Sequence, residues 1–160
     1  MNFRIGYGYD VHRLAKDETL WLGGVLIPHS KGTVAHSDGD VLIHALCDAL
    51  LGAAKMGDIG RHFPDTSLEF KNIESKILLI KTNELIATKN YRVSNLDVTV
   101  AAQQPKLKSF IPQMEETIAR ILGIDVDAVS IKATTTEELG FEGREEGISV
   151  HAVILLERVS

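Results

Sequence analysis

Residues 3–12 read Phe-Arg-Ile-Gly-Tyr-Gly-Tyr-Asp-Val-His, and this stretch restricts the fold more tightly than any other. The odd positions are all large and apolar, while the even ones run Arg4, Gly6, Gly8, Asp10 and His12. A period of two belongs to a β-strand, whose successive side chains point to opposite faces. One face of this strand is expected to pack. The other is cleared by glycines and ends in a carboxylate and an imidazole. Asp10 and His12 therefore share a face and form two thirds of a metal site if a third ligand reaches them.

The third ligand comes from a predicted helix over Asp38–Ala54, with Ser37 or Asp38 as its N-cap and Gly57 as its stop. Val41, Leu42, Ala45, Leu46, Ala49 and Leu50 recur at helical spacing. Asp40, His44 and Asp48 lie four apart and form a ridge roughly opposite Val41, Ala45 and Ala49. Taken alone, such a ridge is more often a solvated acidic face. With Asp10 and His12 beside it, His44 completes an Asp-His-His set with one position open, an arrangement common at catalytic zinc. Asp40 or Asp48 is placed to hold the imidazole N–H. The same residue types also build the facial triad of non-haem iron oxygenases, so both metals stand at this point.

At 160 residues and 44% hydrophobic, residues 1–160 suit one domain with its own core. The net charge of −5 argues against a nucleic-acid partner, and an anionic substrate would need local lysines, helix N-termini or metal ions. The lone cysteine, Cys47, points to a reducing compartment. With no signal-peptide pattern ahead of the first strand and no apolar run long enough to span a bilayer, a soluble cytoplasmic protein without a membrane partner is expected, or a plastid-type one if a transit segment has been removed.

Further along, Thr19–Leu22 and Val25–Ile27 flank Gly23-Gly24 and predict a tight hairpin. A helix near Ile73–Lys89 and a strand near Val93–Ala102 follow. Pro112 then suits the first turn of a third helix and Gly123 its C-terminal cap. Strands near Val129–Ala133 and Ile148–Val159 close the chain. The order predicts an α+β fold with a mixed sheet and helices packed on one face.

Three more segments carry chemistry. In 57–65 the acids Asp58 and Asp65 sit among glycines and Pro64, a polar turn that can also take substrate hydroxyls. In 101–106 a strand ends at Ala102-Gln103-Gln104-Pro105-Lys106, where freed backbone groups can read a base edge and Lys106 offers a charge for phosphate. In 132–141 a strand runs into an expected helix start at Thr134-Thr135-Thr136-Glu137. Hydroxyls and first-turn amides there suit an anion, Glu137 suits a bridging magnesium ion, and the Thr134–Glu137 spacing equally suits a capping box.

In order, Gly8–His12, Ala35–Asp40 with His44, Gly57–Gly60, Phe63–Asp65, Ala102–Lys106 and Lys132–Glu137 resemble the 2-C-methyl-D-erythritol 2,4-cyclodiphosphate synthases almost end to end. The resemblance implies that 4-diphosphocytidyl-2-C-methyl-D-erythritol 2-phosphate closes on itself and releases CMP, a step in non-mevalonate isoprenoid synthesis. It implies Zn2+, or another divalent metal, at Asp10, His12 and His44, and Mg2+ or Mn2+ at Glu137. His36 and Thr135 match the catalytic positions. Ser37, Asp58, Ile59, Gly60, Phe63, Pro64 and Asp65 match substrate positions on the erythritol and phosphate side. Ala102, Pro105, Lys106, Leu107, Lys108, Thr134 and Thr136 match those on the cytidine diphosphate side. It further implies a homotrimer with sites between subunits, and a threefold channel for an isoprenoid diphosphate near Tyr9, Phe141 and Arg144. Position 151 is His, where some relatives carry an acid, which alters the charge beside Arg144.

Overall fold

The alternation at the N-terminus forms a strand longer than its pattern, β1 (Phe3–Lys16). A computed structural model describes residues 2–159. β2 (Leu20–Leu22) and β3 (Val25–Ile27) make the expected hairpin, with Gly23 and Gly24 both at positive φ, as a two-residue turn requires. β4 (Lys31–Thr33), which sequence reading missed, pairs with the end of β1. Then come α1 (Val41–Ala53), α2 (Ile59–His62), α3 (Ser75–Ala87), β5 (Tyr91–Ala101), α4 (Ile111–Leu122), β6 (Val129–Thr134), α5 (Gly140–Gly143) and β7 (Gly147–Arg158).

The main sheet has the order β4-β1-β7-β5-β6, with β5 and β6 parallel and the other pairs antiparallel. The mixed α+β architecture is as expected, and α4 makes the crossover between the parallel strands. α4 also starts and stops as its proline and Gly123 predict, the glycine lying in the left-handed region.

Which face of β1 packs is the reverse of the expectation. Phe3, Ile5 and Tyr7 are 51%, 74% and 59% exposed, and Tyr9 and Val11 are exposed too. The glycine face is the one that α1 covers. Ala45, Ala49 and Ala53 form a low ridge on α1 that sits on Gly8 and Gly6, and a methyl added to either glycine would lie 1.9 Å from a helix carbonyl oxygen. Closest approach of the backbones, not side-chain hydrophobicity, decided the packing face.

The start of α1 is also shifted. Its N-cap is Asp40 rather than Ser37 or Asp38, and the fully buried carboxylate accepts from the amides of Ile43 (3.0 Å), Gly23 (2.9 Å) and Gly24 (2.7 Å). One side chain thus caps the helix and anchors the hairpin turn. The helix ends at Ala53, before Gly57.

Candidate metal centre

Asp10 and His12 extend from the glycine face of β1, and α1 brings His44 over them. Asp10 Oδ2 lies 3.1 Å from His12 Nδ1 and 3.3 Å from His44 Nδ1. The ligand atoms of all three lie within 4.8 Å of one another. Tetrahedral zinc with bonds of about 2.0–2.2 Å sets ligand atoms roughly 3.3–3.6 Å apart, so the spacing is close to what an ion in their midst requires. Asp10 Oδ2 and His12 Nδ1 are buried yet have no hydrogen-bond partner, although they face each other. Convergent polar atoms left unsatisfied in this way are what a bound cation resolves.

Electrostatics agree with the geometry. Burial raises the pKa of the Asp10 carboxyl, but His12 and His44 beside it outweigh burial and bring it down to about 2. Burial depresses His44, yet the contact with Asp10, and then the charges of Asp40 and Asp38, leave it raised. The pocket is negative, and a proton on His44 and a metal ion are alternative occupants of the same place.

The imidazole is held by residues other than the expected ones. Asp40 is committed to its cap, and Asp48 accepts from the Ile59 amide at 2.7 Å. His44 Nε2 instead meets Ser75 Oγ at 2.9 Å and Ser37 Oγ at 3.3 Å. Ser75 starts α3, and both its amide (2.9 Å) and its hydroxyl donate to Asp38. Ser75 stands 31 positions after His44, and an ordinary serine at a helix start gives no sequence signal for this contact.

Around the centre lies a cavity of about 290 Å³ lined by His36, Ser37, Ile59, Gly60, Phe63 and Asp65 as well as the three ligand residues. The turn expected at 57–65 is partly helical. Asp58 caps α2 by accepting from the Arg61 amide at 2.9 Å, and the Asp48 contact fixes the same segment. Asp58 and Pro64 do not line the cavity.

A second cavity, of about 360 Å³, gathers Ala102, Pro105, Lys106, Leu107, Lys108, Thr134 and Thr135 beyond the ends of β5 and β6. Lys132 and Ala133, from the segment that opens at 132, line it too, and so do Ile111 and Ile131, which were not foreseen. The two cavities share no lining residue, and Thr136 and Glu137 line neither. No helix begins at Thr134, contrary to expectation. The Glu137 amide donates to Thr135 Oγ1 at 3.3 Å, and Glu137 and Glu138 take left-handed φ values of 53° and 64°, which break helix continuity. The next helix starts only at Gly140.

Phe141 borders a third hollow with Val11 and His12, and Arg144 pairs with Glu146 at 2.9 Å. His151 accepts or donates at Tyr7 Oη (2.8 Å) and lies with its ring 5.0 Å from that of Tyr9. Among the described residues, no helix is long and apolar enough to cross a membrane.

The sequence profile of the YgbB family matches residues 3–157. The chain is 63% identical over 158 residues to the 2-C-methyl-D-erythritol 2,4-cyclodiphosphate synthase of Bacteroides thetaiotaomicron, covering 99% of each. Among solved structures, it resembles the bifunctional IspDF from Campylobacter jejuni with a TM-score of 0.95 and 44% identity, over 99% of this chain and 43% of that one. It resembles the CDP complex of IspF from Plasmodium falciparum with a TM-score of 0.87 and 37% identity, over 99% and 98% of the two chains.

Proposed function

This chain belongs to the YgbB family, and from that premise we propose that it converts 4-diphosphocytidyl-2-C-methyl-D-erythritol 2-phosphate to 2-C-methyl-D-erythritol 2,4-cyclodiphosphate and CMP. An oxygen of the 2-phosphate attacks the β-phosphorus, the bond from that phosphorus to the α–β bridging oxygen breaks, and CMP leaves with the electron pair. The enzyme forms no covalent intermediate. The observation that carries the reading is the Asp10–His12–His44 cluster, with its unsatisfied buried atoms, opening into a cavity. Family membership removes the iron-oxygenase alternative, which leaves the phosphate-type segments without a role.

Asp10, His12 and His44 hold Zn2+, or another divalent metal at the same site, and Glu137 holds Mg2+ or Mn2+. When bound, these ions supply Lewis acidity and a template for the phosphates. His36 and Thr135 polarise the β-phosphate, and Ser37 contacts the phosphate beside them. Asp58, Ile59 and Gly60 take the erythritol hydroxyls, while Phe63, Pro64 and Asp65 cover that end and exclude water. Ala102, Pro105, Lys106, Leu107, Lys108, Thr134 and Thr136 receive the cytidine diphosphate. An acid-lined centre in a chain of charge −5 repels a triply phosphorylated substrate unless cations intervene, which supports the two ions and Lys106.

The site is completed by assembly into a homotrimer. Support comes from the exposed apolar face of β1 and from two cavities that share no residue. Each subunit brings its metal centre against its neighbour's cytidine cavity. Tyr9, Phe141 and Arg144 then face a threefold channel, where His151 stands beside Tyr9 and an isoprenoid diphosphate binds; native mass spectrometry of protein purified from cells should detect it, and its absence counts against the channel ligand. The enzyme works in the cytoplasm as residues 1–160 forming one domain.

The test is incubation of the pure protein with the diphosphocytidyl substrate and Mg2+, followed by phosphorus NMR. CMP and a cyclic diphosphate are expected in equal amounts. Intact substrate after prolonged incubation of metal-replete protein refutes the assignment.

A further inference from the structure

We infer that Ser75 and Asp38 are positioning residues that fix the tautomer of His44, so that the ring presents Nδ1, free of a proton, to the metal centre. The inference rests on reading Asp10, His12 and His44 as metal ligands.

The argument follows a single proton. A serine hydroxyl has one hydrogen to give, and the Ser75 hydroxyl gives it to Asp38 Oδ1. Ser75 Oγ also lies 2.9 Å from His44 Nε2. With its hydrogen committed, Oγ meets that nitrogen only as an acceptor, so Nε2 must carry the N–H. Two lone pairs at that separation would repel. In the neutral ring the other nitrogen, Nδ1, then has no proton, and it faces the Asp10 carboxylate at 3.3 Å, two acceptors that a cation between them reconciles.

Asp38 is itself held in place. Its Oδ2 accepts the Ser75 amide at 2.9 Å, its Oδ1 accepts the Asp40 amide at 3.2 Å, and its own amide donates to the Ile73 carbonyl at 3.2 Å. The carboxylate thus reads both donors of one residue, and Ser75 is fully buried, so water does not compete for its hydroxyl. Ser37 Oγ, at 3.3 Å from Nε2, is a longer contact on a half-buried residue and orients the ring less strictly. The result is a chain of contacts from carboxylate to hydroxyl to imidazole, ending at the metal centre. Partners of this kind orient a ligating histidine and raise its basicity.

Two measurements test it. In the zinc-loaded protein, nitrogen NMR should show His44 bound through Nδ1 with its proton on Nε2; zinc bound at Nε2 with the proton on Nδ1 overturns the inference without any variant. Zinc affinity is then read by competition with a chelating dye for the natural chain and Ser75→Ala. That variant keeps the backbone amide bond to Asp38. Loss of roughly 10- to 100-fold in affinity is expected, with far-UV circular dichroism unchanged. Equal affinity in the two proteins overturns the role of Ser75. Absence of zinc binding to the natural chain would instead overturn the metal-centre reading itself, whereas zinc bound through the other ring nitrogen overturns only the inference.

Discussion

Gly8→Ala adds one methyl group, and the structure determines where it must go. The new Cβ would lie 1.9 Å from the Ala45 carbonyl oxygen and 2.8 Å from the Ala49 amide nitrogen. Both are main-chain atoms of α1, so no side chain can rotate aside. Ordinary contact starts at 3.4 Å, which leaves helix and strand to separate by about 1.5 Å. Inserting a group into a close-packed interior costs about 1–3 kcal/mol, and with rigid backbone on both sides the upper end, ~3 kcal/mol, is expected. The metal centre suffers more than the fold. His44 precedes Ala45 on the displaced helix, whereas Asp10 follows two residues after the substituted position. A metal site tolerates roughly ±0.2 Å in its bond lengths, far less than the separation imposed. Urea denaturation should therefore show the loss of stability, and elemental analysis of the folded variant should show little retained zinc. A Gly8→Ala protein with natural stability and a full complement of zinc would refute the argument that this glycine sets the distance between β1 and α1.

Asp40→Asn should destabilise by about 2–3 kcal/mol, because the amide cannot accept all three backbone N–H groups the buried carboxylate serves; an unchanged urea midpoint would refute this. Burial pushes the Cys47 thiol up from 9.0 to about 12, so its contribution to stability is fully present below pH 9.0 and is lost as the pH rises towards 12. Alkylation of Cys47 should accordingly be negligible in the native protein and rapid in urea, and equal rates would contradict the burial. Lys106→Ala should weaken binding of cytidine diphosphate, read by calorimetry, while zinc content stays unchanged; unaltered affinity removes Lys106 from the proposed nucleotide contacts. Ile5→Glu, on a residue 74% exposed within the chain, should preserve the circular dichroism spectrum but convert the proposed trimer to monomer in light scattering. An unaltered mass would show that this face is not the contact.

The meeting of Asp10, His12 and His44 was legible because it starts from local periodicity. A two-residue spacing in a strand puts Asp10 and His12 on one face, and no tertiary information is required for that step. The hairpin at Gly23-Gly24 and the limits of α4 were legible for the same reason, since turn and cap chemistry is local. What holds His44 was not, because Ser75 and Asp38 reach it through the packing of α3 against the loop before α1. Asp40 and Asp48 had the right residue type and spacing, but backbone amides claimed them first. At 134–137 the threonines and Glu137 fit a capping box, yet left-handed φ values at Glu137 and Glu138 turn the chain away before any helix forms.

The reversed face of β1 links the centre to assembly. Gly6 and Gly8 admit the α1 backbone, and that approach is what delivers His44 to Asp10 and His12. Because alternate side chains point to opposite faces, the same choice sends Phe3, Ile5, Tyr7, Tyr9 and Val11 outward. Moving that apolar row inward by a one-residue slip in register would turn Asp10 and His12 away from α1 and dissolve the centre. The strand therefore satisfies the metal centre within the chain and leaves its apolar row for something outside it. Tyr7 and Tyr9 are already ordered there by His151 of β7, so the face is a formed surface rather than a loose one. In the proposed trimer, one short strand sets both the metal geometry and the subunit contact, and a substitution on either face is felt at the active site.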